Sequence, residues 1–306
     1  MKRKDFLKYS ASAGAFIGLG GLTATASTFE TENSLKHITI LHTNDVHSHV
    51  RPFPESDPNY PNKGGVARRY SLIQKIREEN PNTLLLDAGD IFQGTPFFNF
   101  YGGEIEFKLM SKLGYDAATL GNHDFDNGTD GLNAQLPNAE FPFIISNYDF
   151  SNTVLDGKTK PYQIFKKAGV KIGVFGLGIE LDGLVSKKNY KETQYLNPVE
   201  IAQQTVKTLK NEKACDLLIC LSHLGYHYNS EKIDDKKLAQ QTQDIDLILG
   251  GHTHTFLEKP TLVKNNQGKN VIINQVGWAG LNLGRIDFYL NHKNGNYSAE
   301  GLPVEV

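Results

Sequence analysis

Residues 245–254 read Ile245-Asp-Leu-Ile-Leu249-Gly-Gly-His252-Thr-His254, an apolar run that breaks on two glycines into a histidine pair. The same pattern occurs four times upstream. His37 to Leu41 leads to Asp45-Val-His47, and Thr83 to Leu86 leads to Gly89-Asp90. Ala117 to Leu120 leads to Gly121-Asn122-His123-Asp124, and Leu217 to Leu221 leads to Ser222-His223. Short β-branched or leucine-rich runs read as strands, and in α/β proteins the loops at their carboxyl ends carry the chemistry. Before His123 and Asp124 are counted, these loops offer two Asp, one Asn and four His. That many nitrogen and oxygen donors suffice for two divalent ions sharing one carboxylate. A lone Asp-x-His or Gly-Asp is an ordinary turn. Five such pieces, each behind a strand, read together as a dinuclear metal hydrolase.

The intervening chain alternates helices with strands. Gly64-Gly65 opens a helix with Val66, Tyr70, Ile73 and Ile76 on its apolar side and Arg68, Arg69, Lys75 and Arg77 opposite; Asn80-Pro81 ends it. Further helices are expected over Glu104 to Leu113, Pro198 to Leu209 and Lys232 to Gln241, and further strands over Phe143 to Ser146, Ile172 to Leu177, Val271 to Val276 and Leu283 to Leu290. The pattern is that of an α/β fold without internal repeats. The Pro- and Asn-rich segment from Arg51 to Lys63 reads as exposed and substrate-facing. The aromatic run from Phe97 to Tyr101 reads as core, and Trp278 as the exposed aromatic available to a substrate. His37, His227 and His292 have no partner motif, His42 should face away from the other histidines, and His49 lies beyond the matched pair.

Residues 1–26 read as an export signal. Lys2, Arg3, Lys4 and Lys8 precede the apolar, glycine-rich stretch from Ala11 to Leu22, and Ala24-Thr-Ala26 fits a cleavage site. The stretch is too short for a membrane span, so no stable membrane anchor is expected. Arg3-Lys-Asp-Phe-Leu-Lys8 is similar to the twin-arginine signal, with Lys4 where a second Arg usually stands. Residues 27–306 then form one catalytic domain, exported to the periplasm or beyond. Removing a leader of net +3 takes the formal charge from −2 to −5, which disfavours a polymeric nucleic acid partner. Cys215 and Cys220, placed in one strand, are too far apart for a disulfide.

Beyond the donor pieces, the chain holds Leu41-His-Thr-Asn-Asp45, Gly64-Gly-Val-Ala-Arg68, Asp87-Ala-Gly-Asp-Ile-Phe-Gln-Gly94, Thr119-Leu-Gly-Asn-His-Asp-Phe-Asp126, Gln275-Val-Gly277 and Leu283-Gly-Arg285. In these it resembles the calcineurin-like metallophosphoesterases, specifically the catalytic domain of the exported 5'-nucleotidase and 2',3'-cyclic phosphodiesterase family. The resemblance implies a four-layer α/β/β/α sandwich of two mixed sheets flanked by helices. It also implies one ion on Asp45, His47 and His254, another on Asn122, His223 and His252, and Asp90 bridging them. Zn, Mn, Fe and Co all suit such donors. His123, oriented by Asp126, would stabilise the transition state or protonate the alkoxide that leaves as a metal-activated hydroxide attacks phosphorus. Asn122, His123 and Trp278 would meet a small phosphorylated substrate such as a 5'-nucleotide.

In that family a C-terminal domain supplies an aromatic clamp and arginines for the nucleotide, and no such half is expected here. The alternatives are a split nucleotidase completed by a separate C-terminal chain, a cyclic phosphodiesterase, a thiosulfohydrolase-type enzyme, or a metal-binding or phosphate-binding protein without turnover.

Overall fold

The computed structural model describes residues 35–291 and 297–306. The expected leader, its polar sequel to Ser34 and His292 lie outside the described residues. Along the chain, β1 (Leu35–Thr43) leads to helix α1 (Val66–Glu79), β2 (Thr83–Asp87), helices α2 (Pro96–Tyr101) and α3 (Glu104–Leu113), and the two-residue β3 (Ala117–Ala118). Next come α4 (Gly128–Gln135), β4 (Tyr148–Asp149), β5 (Tyr162–Lys167), β6 (Val170–Leu177), α5 (Lys187–Tyr190), β7 (Gln194–Tyr195) and α6 (Pro198–Lys207). The remainder holds β8 (Leu217–Ser222), α7 (Asp235–Gln241), β9 (Leu247–Gly250), β10 (Thr261–Lys264), β11 (Asn270–Asn274), β12 (Asn282–Asn291) and β13 (Tyr297–Glu305).

These strands make two mixed sheets, in the orders β13-β12-β1-β2-β3 and β10-β11-β9-β8-β6-β5, while β4 and β7 pair separately. In the first sheet β1, β2 and β3 run parallel. In the second β6, β8, β9 and β11 do, with antiparallel strands at both edges. Alternation along the strands builds the layers. Ile38 and Ile40 of β1 and Leu84 and Leu86 of β2 meet Ile172, Val174, Ile219, Leu221 and Leu249 of the other sheet in one buried core. Leu41 and Leu85 point the opposite way, into a core with Ile73, Ile76, Phe107 and Leu113 of α1 and α3. Leu218, Cys220 and Ile248 turn to Ala202, Val206 and Leu238 of α6 and α7. Three apolar cores therefore separate four layers, helix on sheet on sheet on helix. Strands covered on both faces read as continuous apolar runs for this reason.

Several expectations need correction. On α1, Tyr70 is 45% exposed and Arg69 only 4%. Arg69 and Tyr70 both stand within one turn of Val66 and Ile73, and it is Arg69, packed against Gly280, that turns inward with its apolar stem. In the run from Phe97 to Tyr101, Phe98 packs into the core but Phe100 is 82% exposed, because the short helix α2 buries one side only. Residues 143–146 form no strand. They bridge the two sheets instead, with the Ile144 amide donating to Ala118 O and the Ser146 amide to Gly176 O of β6. The β5–β6 hairpin escaped the sequence reading, although its Ala168-Gly169 turn, with φ of 49° and 75°, is the mirror-type turn that hairpins favour. Cys215 precedes β8; it and Cys220 are free and buried.

Truncating the inter-sheet core should be costly. Ile40→Ala and Ile219→Ala are each expected to cost about 2–5 kcal/mol through the cavity left behind, read as a lower urea midpoint at an unchanged slope.

Candidate metal centre

The carboxyl ends of the parallel strands of both sheets meet at one edge. β1 delivers Asp45 and His47, β2 delivers Asp90, β3 delivers Asn122 and His123, β8 delivers His223, and β9 delivers His252 and His254. Among the described residues, two donor groups have atoms all within 4.8 Å of one another: Asp45, His47 and His254, and Asp90, His223 and His252. Each group takes side chains from both sheets.

Backbone contacts fix which ring nitrogens are free. His47 Nδ1 lies 3.1 Å from Phe92 O and His223 Nδ1 lies 2.7 Å from Ala88 O, so each donates there and turns Nε2 inward. His47 Nε2 stands 3.0 Å from His254 Nε2, an approach of two imidazole nitrogens that a shared cation explains well. His223 Nε2 lies 3.1 Å from Asp90 Oδ2 yet has no aligned hydrogen-bond partner among the described residues. The same Asp90 oxygen is 3.8 Å from His47 Nε2, placing it between the two groups. Asp45 Oδ1 is comparably central, 3.4 Å from His254 and 3.9 Å from His223. Asn122 Oδ1 sits 2.8 Å from His252 Nδ1. A completely buried imidazole nitrogen facing carboxylate oxygens without an aligned bond fits a divalent cation.

Electrostatics agree with that fit. Burial opposes charge on His223, but Asp90 and Asp45 outweigh it and raise its pKa to about 10. Burial would raise Asp90, but His223 more than offsets this and holds it below the ordinary carboxylate range. Burial, reinforced by His223, lowers His252 to about 4, and burial lowers His47 also.

Holding these atoms together strains the backbone. Asp45, His47, Asp90, His252 and His254 all adopt positive φ, between 49° and 71°. Such conformations cost side chains of this kind and persist where the surroundings impose them. Gly121 permits the closest approach: an added Cβ would lie 2.2 Å from Asp90 Oδ1.

Supports surround the candidate donors; the sequence marks Asp124 as a turn or supporting residue and gives no sign of the others. Asp124 accepts the amides of Asp90, Ile91, Phe92 and Gly121 at 2.8–3.1 Å. Asn44 Nδ2 donates to Asp45 Oδ2 and Gly277 O, and Gln275 Nε2 donates to Gly251 O. Asn44 and Gln275 belong to motifs quoted above, but no local pattern reveals their targets. His42 points into the inter-sheet core with Nε2 2.8 Å from Asn274 Nδ2, and burial lowers its pKa to about 3.

At the rim, His123 Nδ1 lies 2.9 Å from Asp126 Oδ2, and that bond raises the His123 pKa. Its ring is 5.3 Å from that of His47. Trp278 differs from its expectation. It is half-buried, parallel to the His254 ring at 5.7 Å and edge-on to His49, Phe53 and Tyr60. A groove of about 520 Å³ adjoins this cluster, walled by His49, Arg51, Phe53, Phe97, Phe100 and Tyr101.

Comparison with known proteins follows from this geometry. A family profile described as calcineurin-like phosphoesterase matches residues 38–256. The chain is 33% identical over 294 residues to the trifunctional nucleotide phosphoesterase protein YfkN of Bacillus subtilis, covering 86% of this chain and 19% of that protein. It is 34% identical over 335 residues to 5'-nucleotidase of Vibrio cholerae serotype O1, covering 100% of this chain and 58% of that protein. The 5'-nucleotidase precursor from Thermus thermophilus superposes with a TM-score of 0.79 at 34% identity, covering 88% of this chain and 55% of that one. The chain thus spans about half the length of the 5'-nucleotidases it matches.

Two outcomes test the centre. Asp90→Asn should lose affinity for metal, measured as fewer bound equivalents by elemental analysis. At pH 8 the metal-free protein should release a proton from His223 on binding Zn²⁺ or Mn²⁺, because Asp90 and Asp45 raise that pKa to about 10 and the metal displaces the proton. Calorimetry in buffers of different ionisation enthalpy reads this release, which His223→Gln should abolish.

Proposed function

The chain belongs to the calcineurin-like phosphoesterase family, and on that premise we propose that it is a metal-dependent phosphoric ester hydrolase acting on phosphate monoesters, 5'-nucleotides foremost. The observation that carries the reading is the pair of donor groups drawn from both sheets, with an oxygen of Asp90 set between them. Asp45, His47 and His254 would hold one divalent ion, and Asn122, His223 and His252 the other. When bound, the ions would supply Lewis acidity, lowering the pKa of water and stabilising charge on the phosphoryl oxygens.

The chain's own residues do the rest. Asp90, its amide and side chain held by Asp124 and by the His123 amide, fixes the separation of the two groups. His123 stands at the rim, 38% exposed, with Nδ1 committed to Asp126. This leaves Nε2 to donate a proton to the departing alkoxide, and the Asp126 contact raises the ring's pKa and orients it for that task. Asn189 in turn donates from Nδ2 to Asp126 O at 2.9 Å. Trp278 covers one face of His254, and with Asn122 and His123 it borders the space a phosphoester would enter.

Names of relatives support the nucleotide part, and so does the aromatic groove, whose walls suit a planar base. In a second reading the base is held by a separate chain. Export through an N-terminal signal belongs to the same proposal. No helix among the described residues is long and apolar enough to cross a membrane.

Phosphate release from nucleoside monophosphates and aryl phosphates with Mn²⁺ or Zn²⁺ tests the activity; metal binding without any release would defeat it. His123→Ala should retain both metals yet lose about 10²–10⁴ in kcat on nucleotides, and far less on 4-nitrophenyl phosphate, whose leaving group needs no acid. Equal loss on both would remove His123 from the acid role. Phe100→Ala should raise KM for AMP about tenfold or more but not that for glycerol phosphate; unchanged KM values would shift base recognition to another chain.

A further inference from the structure

Beneath the loop that carries Asp45 and His47 lies a cavity of about 30 Å³, walled by Val46, Ser48, Arg69, Glu106, Met110 and Tyr115 among others. Two walls are charged side chains from different helices: Arg69 of α1, 4% exposed, and Glu106 of α3, 5% exposed. Arg69 Nε and Nη1 and Glu106 Oε2 have no hydrogen-bond partner among the described residues. Buried polar atoms of this kind rarely stay unmatched in a folded protein. Donors from one wall and an acceptor from the other define the guest. A water accepts from the guanidinium and donates to the carboxylate. An anion would meet Glu106, a cation would meet Arg69, and an apolar guest would satisfy neither. The volume exceeds the ~10–15 Å³ that a single water needs.

Both walls also touch what holds the ligand loop in place. Glu106 Oε1 accepts from Ser48 Oγ, the residue after His47. The Ser48 amide donates to Ile91 O at 2.9 Å, Ser48 Oγ accepts from the Phe98 amide at 3.1 Å, and Ser48 O accepts from Thr95 Oγ1 at 2.9 Å. On the other side, Arg69 Nη1 lies against Gly280, where an added Cβ would be 1.6 Å from it. The neighbouring Ala279 amide donates to Asp45 O at 2.8 Å. Asp90, His223 and His252 have further contacts of their own, with Asp124, Ala88 O and Asn122; the His252 amide also donates to Asp45 Oδ1 and Oδ2 at 2.9 and 3.0 Å, and the His47 amide to Asp90 O at 3.1 Å.

We propose that a buried water bridges Arg69 and Glu106 and, through Ser48 and Gly280, makes them positioning residues for the Asp45–His47–His254 group more than for its neighbour. The affinity part rests on the two-ion reading of the site; the water does not. Wild-type crystals at a resolution that places waters should show density within hydrogen-bond distance of both side chains. An empty cavity, or a direct Arg69–Glu106 ion pair, would overturn the bridge.

Metal-free wild-type, Arg69→Met and Glu106→Gln proteins, each checked for native circular dichroism, are then titrated with Co²⁺ and followed by absorbance. Both variants should bind one equivalent about 10–100-fold more weakly, as loss of a support behind a ligand does, and the other with a clearly smaller loss. Glu106→Gln keeps the oxygen that accepts from Ser48, so it preserves the test should Arg69→Met not fold. Folded variants with both equivalents unchanged, or both weakened alike, would refute selective positioning. A wild-type protein that takes up no metal would overturn the two-ion reading and the affinity part with it, while the crystal still decides the water.

Discussion

The arrangement depends on an enforced crowding of ring nitrogens and carboxylate oxygens at one edge of the sandwich. Two imidazole nitrogens, of His47 and His254, stand 3.0 Å apart, and the oxygens of Asp45 and Asp90 face several rings at once. Five of the residues involved occupy left-handed backbone conformations, each worth about 1–3 kcal/mol of strain. A flexible loop would relax such a cluster. Here the amides around Asp124 and the side chains of Asn44 and Gln275 hold the loops, and the strands behind them are buried on both faces.

The sandwich also makes the centre a joint between layers. Each donor group combines a carboxylate from the first sheet with imidazoles from the second, so ions bound there would clamp the sheets at their catalytic edge. The inter-sheet core does the same work along the rest of the interface, and the segment around Ile144 ties the sheets on one side through its bonds to Ala118 and Gly176. Metal binding and sheet packing are therefore energetically linked.

Around the centre, the surface is divided by chemistry. His123 and Asp126 form a polar rim, whereas Trp278, Phe53 and Tyr60 form an aromatic cluster that runs into the groove beside Phe100. A substrate with a phosphate at one end and a planar group at the other matches this division. The 5'-nucleotidases that the chain matches are about twice as long as the span they share with it.

Much of this was legible in the order of residues. Apolar runs of strand length ending in glycine, aspartate and histidine located the sheet edge and every proposed donor, because strand periodicity and turn chemistry are local properties. Helix Glu104 to Leu113 was read to the residue, since glycines bound it on both sides. Side-chain direction on α1 was misread: Arg69 and Tyr70 are neighbours on the helix, and only packing against α3 and the Gly280 loop decides which is buried. The exposure of Phe100, the stacking of Trp278 on His254 and the bridging path of residues 143–146 were equally invisible, each depending on partners far away in the chain. Sequence determines which groups can be donors; the folded chain alone decides which atoms meet, because their approach is set by two sheets packing against each other.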